Sequence, residues 1–175
     1  MSTRSRLLVT SCAAVAAIAS AAPAAHAAGE PEAVGRYVSA INREDMDAAL
    51  ASFTDDARLV AGPGCTEPSP CVGKAQIRAK FLEPMFAQGL RLVPMGVEAR
   101  GADAVRVDLA LELDEFRTMG FERLRGTDEF RLRDGRISSL MFRFDPSDPP
   151  TAQFLRRLAE QAARPAATGP AAPAR

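Results

Sequence analysis

Few side chains in this chain have the chemistry of an active or binding site. Tyr37 is the only tyrosine and His26 the only histidine among 175 residues, and tryptophan is absent. Asp55 and Asp56 are adjacent carboxylates, Cys65 and Cys71 enclose the pentapeptide Thr66-Glu67-Pro68-Ser69-Pro70, and arginines recur at 117, 123, 125, 131, 133, 136 and 143. A phenol can donate a hydrogen bond to a ligand oxygen, and paired carboxylates can exchange protons. Two thiols can form a disulfide, a redox couple or half a metal site, and an arginine cluster can bind an anion.

The plainer reading of each is weighed beside the chemical one. Asp55-Asp56 follows a helical stretch, and a helix-to-strand turn in which Asp bonds its own backbone accounts for the pair. The arginines are interleaved with Glu112, Asp114, Glu115, Glu122, Asp128 and Glu129, so cross-strand pairing of opposite charges accounts for both sets. Arg143 stands apart, because Met141, Phe142 and Phe144 surround it, and it is carried forward as a ligand contact. For Tyr37 the plainer reading is a hydroxyl hydrogen-bonded at a cavity wall. Such a hydroxyl would still orient a ligand.

The start of the chain decides which of these groups count. Arg4 and Arg6 precede an almost wholly small or apolar run from Leu7 to Ala22, and Ala25-His26-Ala27 is a small-x-small cleavage site. This is the secretory pattern, with cleavage expected between Ala27 and Ala28. The run is Ala-rich and broken by Pro23, which argues against a spanning helix of about 20 strongly apolar residues. Only Leu7 and Leu8 lie between the charged start and Val9-Thr10-Ser11-Cys12, which argues against lipidation. A periplasmic or secreted protein is expected, with no membrane association after cleavage.

Cleavage would remove His26 and Cys12. A mature chain without histidine has no Ser-His-Asp or Cys-His nucleophile and no His-ligated metal. Neither metal nor cofactor is expected. Cys65 and Cys71 become an even pair in an oxidising compartment, which favours a disulfide. Lys and Arg total 22 against 22 acids, and losing Arg4 and Arg6 leaves a small acidic excess, with no basic patch to suggest nucleic acid.

The elements that would position these groups follow from periodicity. Val34, Tyr37, Val38 and Ile41 mark a helix over 31–42, and Met46, Leu50 and Phe53 a second from Met46 to Phe53 with Asp45 as N-cap. Ala57 to Ala61 reads as a short strand. Gly73 to Gln88 reads as a third helix, ended or kinked at Pro84. Leu90–Ala99 precedes an alternating run from Val105 to Leu113, then Phe121–Leu132 and Arg136–Phe144, with Asp134-Gly135 as a hairpin turn. Asp148-Pro149-Pro150 opens a last helix, and residues 164–175 are Ala/Pro-rich with the composition of a disordered tail.

Three helices against one bent antiparallel sheet make an α+β domain with a conical cavity. The domain is expected over 28–163, after a signal peptide at 1–27 and before a tail at 164–175. Several local phrases resemble the nuclear transport factor 2-like superfamily, whose fold is also called cystatin-like, and the SnoaL-like group in particular. They are Arg36-Tyr37-Val38-Ser39-Ala40-Ile41-Asn42, Asp45-Met46-Asp47, Ala51-Ser52-Phe53-Thr54-Asp55-Asp56-Ala57, Gly73-Lys74-Ala75-Gln76-Ile77 and Asp134-Gly135-Arg136-Ile137.

The resemblance implies a curved sheet forming a cone with three helices over its concave face. It also brings a steroid-isomerase comparison, in which an Asp base works with an oxyanion hole of a Tyr and a protonated Asp. Tyr37 matches the tyrosine. The base position falls on Ala61 or Gly62, which cannot take a proton, and Asp108 and Asp114 are the candidates for the second acid. The expected pocket comprises Tyr37, Phe53, Phe81, Met85, Phe86 and Arg143. The expected function is non-catalytic binding of a small, mostly apolar molecule. An enzyme of steroid-isomerase or polyketide-cyclase kind is one alternative, and a dimerisation or interaction module, such as a homodimer, is another.

Overall fold

The computed structural model describes the backbone of residues 25–163 and side chains from residue 32 on. Residues 1–24, most of the expected signal peptide, and the expected tail at 164–175 lie outside the described residues. So do the side chains of Ala27 and Ala28, between which cleavage is expected. The order is α1 (Ala25–Asn42), α2 (Met46–Ala51), β1 (Phe53–Val60), β2 (Cys71–Val72), α3 (Lys74–Ile77), a π-helical segment (Arg78–Leu82), α4 (Glu83–Ala87), β3 (Arg91–Ala99), β4 (Ala104–Glu112), α5 (Asp114–Thr118), β5 (Leu124–Arg133), β6 (Arg136–Phe144) and α6 (Pro149–Ala163). Among the described residues no helix is long and apolar enough to cross a membrane.

The strands form one sheet in the order β2-β1-β6-β5-β4-β3. All neighbouring pairs are antiparallel except β1 and β6, which run parallel. The sequence pattern anticipated β3 to β6 and an α+β class. It placed β1 too late and missed α5. Asp55 and Asp56 lie inside β1 rather than in a turn. Both are exposed, with Asp55 2.8 Å from Lys74 and Asp56 bonded by Thr54 and Arg133. These partners hold both carboxyls below the usual range, Lys74 leading at Asp55 and Arg133 at Asp56.

Local chemistry explains the boundaries. The Asp45 side chain accepts from the Ala48 N–H at 3.0 Å and caps α2. Asn42 ends α1 by bonding both backbone groups of Leu92 at 2.8 Å, which ties the helix to β3. Pro84 does not end the third helical stretch. The turn before it widens to a π-helix, and the chain continues as α4. A widened turn is a known way to accommodate a residue without an N–H. Asp134 and Gly135 have φ of 53° and 69°, and the hairpin closes between Arg133 and Arg136. Positive φ at both central residues is the primed turn that suits the twist of paired strands.

Alternation sorts the sheet into two faces. Val105, Val107, Leu109 and Leu111 of β4 lie opposite Phe130, Asp128, Gly126 and Leu124 of β5. Phe130, Asp128 and Gly126 lie in turn opposite Leu140, Phe142 and Phe144 of β6. This face packs on α1 through Val34, Tyr37, Val38 and Ile41, all buried, and forms the core.

Candidate functional site

Between the inner face of the sheet and the helices lies a cavity of about 400 Å³. Leu111, Leu140, Phe142 and Phe144 of the sheet line it, with Phe81 and Met85 from the third helical stretch and Phe154 from α6. Gly62, Pro63, Cys65 and Thr66 of the loop after β1 form part of its rim. That loop is closed by the Cys65–Cys71 disulfide, with Cα atoms 5.0 Å apart, and by the Ala61 N–H donating to the Cys65 carbonyl at 2.8 Å. Gly64 is required there, because a Cβ on it would stand 2.2 Å from the Lys80 carbonyl oxygen.

Three titratable groups are among the lining residues: Tyr37, Asp128 and Glu115. Tyr37 and Asp128 are 1% and 4% exposed. Tyr37 comes from α1 and is fixed by edge-on contacts with Phe53 at 5.4 Å and Phe130 at 5.8 Å. Asp128 comes from the middle of β5, with Val107 and Phe142 as its cross-strand neighbours. Among the described residues, neither the Tyr37 hydroxyl nor the Asp128 carboxyl has a hydrogen-bond or ion-pair partner. Burial alone pushes the Asp128 carboxyl up to about 8. Burial, reinforced by the Asp128 charge, raises Tyr37 well above its ordinary value. At neutral pH both are therefore O–H groups, each able to donate one hydrogen bond and to accept others. Leaving such groups unpaired in an apolar interior costs about 1–3 kcal/mol each.

Of the residues expected at the pocket, Tyr37, Phe81 and Met85 line the cavity. Phe53 is fully buried behind Tyr37, and Phe86 packs partly buried against the core; neither lines the cavity. Arg143 requires correction. It lies on the outer face of the sheet and bonds Glu67 at 2.9 Å, where it borders an open depression with Arg106 and Arg125. Its neighbours Phe142 and Phe144 point to the opposite face, as alternation dictates.

Of the two acids considered for an oxyanion role, Asp108 accepts from Arg106 and Thr127 on the outer face, and Asp114 pairs with Arg117 on α5. The buried acid facing the cavity is Asp128, which the sequence analysis groups with the charges explained by cross-strand pairing. Ala61 and Gly62 do line the cavity and bring no ionisable group to it.

Comparison with known proteins agrees with this architecture. No curated protein matches the sequence. Solved structures similar to it include a putative polyketide cyclase from Sinorhizobium meliloti, 23% identical over 65% of this chain and 94% of that one, with a TM-score of 0.55. A computationally designed 17-OHP binder is 17% identical over 68% and 92% of the two chains, with a TM-score of 0.57. TerC, co-crystallized with polyporic acid, is 19% identical over 75% and 98%, also with a TM-score of 0.57. At these identities the likeness is one of fold. Residues 34–140 match the sequence profile of the SnoaL-like domain, and the chain, whose fold is nuclear transport factor 2-like, belongs to that family.

Proposed function

We propose that this protein binds a small, mostly apolar molecule in the cavity and holds one oxygen of it between Tyr37 and Asp128. The observation that carries this reading is the pair of buried O–H groups without a protein partner among the described residues, set in a cavity whose other buried lining side chains are apolar. A ligand carbonyl would accept from both, removing the cost of leaving them unpaired, while its apolar body covers the aromatic walls. The designed 17-OHP binder and the TerC complex with polyporic acid support the reading as precedents on the same fold. Export to the periplasm or outside the cell is part of the proposal. It rests on residues 1–27 and on the cysteine pair.

A second reading has one specific observation in its favour. A carboxyl that titrates at about 8 is poised to exchange protons near neutral pH, so Asp128 could itself act as acid or base on a bound ketone. Exchange of the methyl protons of 2-acetylnaphthalene in heavy water separates the two readings. Acceleration lost in Asp128→Asn supports the enzyme, and no acceleration with measurable binding supports the binder.

Calorimetric titration of 2-acetylnaphthalene at pH 6 tests the binding proposal. Wild type is expected to bind it, Tyr37→Phe about three- to ten-fold more weakly through loss of one hydrogen bond, and Asp128→Leu more weakly still. Affinity is expected to hold below pH 7 and to fall above about pH 8, where the carboxyl gives up the proton it donates. Equal affinity in all three proteins would refute the role of the pair.

A further inference from the structure

Burial sorts the polar groups of the cavity by depth. Tyr37 and Asp128 lie at its floor, almost fully enclosed. Glu115 and Thr66 are exposed and stand at the mouth. The arginines of α5, of the turn after it and of α6 that follow have partners of their own. Arg117 pairs with Asp114 and Glu112, and Arg123 also reaches Glu112. Arg157 donates to the Met119 carbonyl at 2.7 Å and lies over the Phe121 ring. Among the described residues, the Glu115 carboxylate has no ion-pair partner. It is also the exposed acid of the lining, where Asp128 is the buried one.

Resting on the binding reading above, we infer that Glu115 sets the polarity of the ligand's outer end. The ligand is an amphiphile with a hydrogen-bond-accepting oxygen at the buried end and a hydrogen-bond donor, best a cationic amine, at the mouth. A ligand with a carboxylate at that end is disfavoured. The floor offers neutral donors and the mouth offers an uncompensated negative charge, so the cavity reads direction as well as shape. Selection of this kind works as much by repelling the wrong group as by attracting the right one.

Three matched ketones test this by calorimetry: 2-acetylnaphthalene, its 6-aminomethyl derivative and its 6-carboxylate. Wild type is expected to bind the amine tighter than the parent and the carboxylate weaker, by up to about five-fold each at low salt, the range of an exposed ion pair. The spread should narrow as salt is added. In Glu115→Gln the spread between the three affinities should collapse, each being read relative to the parent ketone in the same protein. If the parent binds wild type and the spread persists in Glu115→Gln, the role of Glu115 is wrong and the cavity reading stands. If the parent does not bind wild type, the cavity reading fails and takes this one with it.

Discussion

The two faces of the sheet are built from the same strands and treat charge in opposite ways. On the outer face Arg106 bonds Asp108, Thr127 donates to Asp108, and Arg143 pairs with Glu67. Arg131 reaches Asp103, and Arg125 reaches Asp148. Every one of these charges has a partner within reach and water at hand, which makes each pair worth little. On the inner face of β4, β5 and β6 the described side chains are apolar but for Asp128, which is buried and has no partner among the described residues. Asp108 and Asp128 sit on paired strands, one residue out of phase. The phase of alternation, rather than the residue type, makes one a surface charge and the other a protonated acid in a cavity.

Exchanging Asp128 for Leu should have the largest effect on this contrast. It removes a polar group buried without a partner, so the variant is expected to be more stable than wild type at pH 7, on the order of 3 kcal/mol, while losing ketone binding. The pH dependence fixes the sign. The folded-state carboxyl titrates at about 8 against 3.8 for the free group, so between those values the folded state holds a proton that the unfolded chain has released. The contribution of this proton is fully present below about pH 3.8 and is lost as pH rises toward 8, with a slope of up to about 1.4 kcal/mol per pH unit. The stability gap between Asp128→Leu and wild type should therefore widen from pH 5 to pH 8 in chemical denaturation. A gap that is absent or independent of pH would mean that Asp128 is solvated, and the contrast between the faces would collapse.

The smallest effect belongs to the outer face. Arg143→Ala is expected to change stability by less than about 0.5 kcal/mol and to leave the affinity for 2-acetylnaphthalene unaltered. A clear loss of affinity would return Arg143 to the site.

Much of this was legible in the sequence. The helical spacing of Val34, Tyr37, Val38 and Ile41 placed Tyr37 on the core face of α1, and the alternation from Val105 to Leu113 oriented the sheet. Asp134-Gly135 fixed the last hairpin. Asp128 was legible too. Leu124, Gly126, Asp128, Phe130 and Leu132 are in phase, with Arg125, Glu129, Arg131 and Arg133 between them, but the density of charge drew attention to pairing instead of phase. Arg143 was misplaced for the complementary reason: its apolar neighbours along the chain project to the opposite face. The strand position of Asp55 and Asp56 was harder to see, because β1 pairs parallel with β6, far away in sequence, across an irregularity between Phe53 and Arg58. The extent of the cavity depends on α5 and α6 closing over Phe142 and Phe144, a tertiary arrangement that no local pattern encodes.

The most direct test of the central claim is the infrared carbonyl stretch of 2-acetylnaphthalene, labelled with carbon-13 at the ketone, in its complex with wild-type protein at pH 6. Two hydrogen bonds from Tyr37 and Asp128 should move the band to lower frequency than in an alkane solvent, and Asp128→Leu with Tyr37→Phe should return it toward the alkane value. A bound ketone whose stretch matches the alkane value in the wild-type protein would show that its oxygen meets neither group, and would contradict the assignment of Tyr37 and Asp128 as the ligand's hydrogen-bond donors.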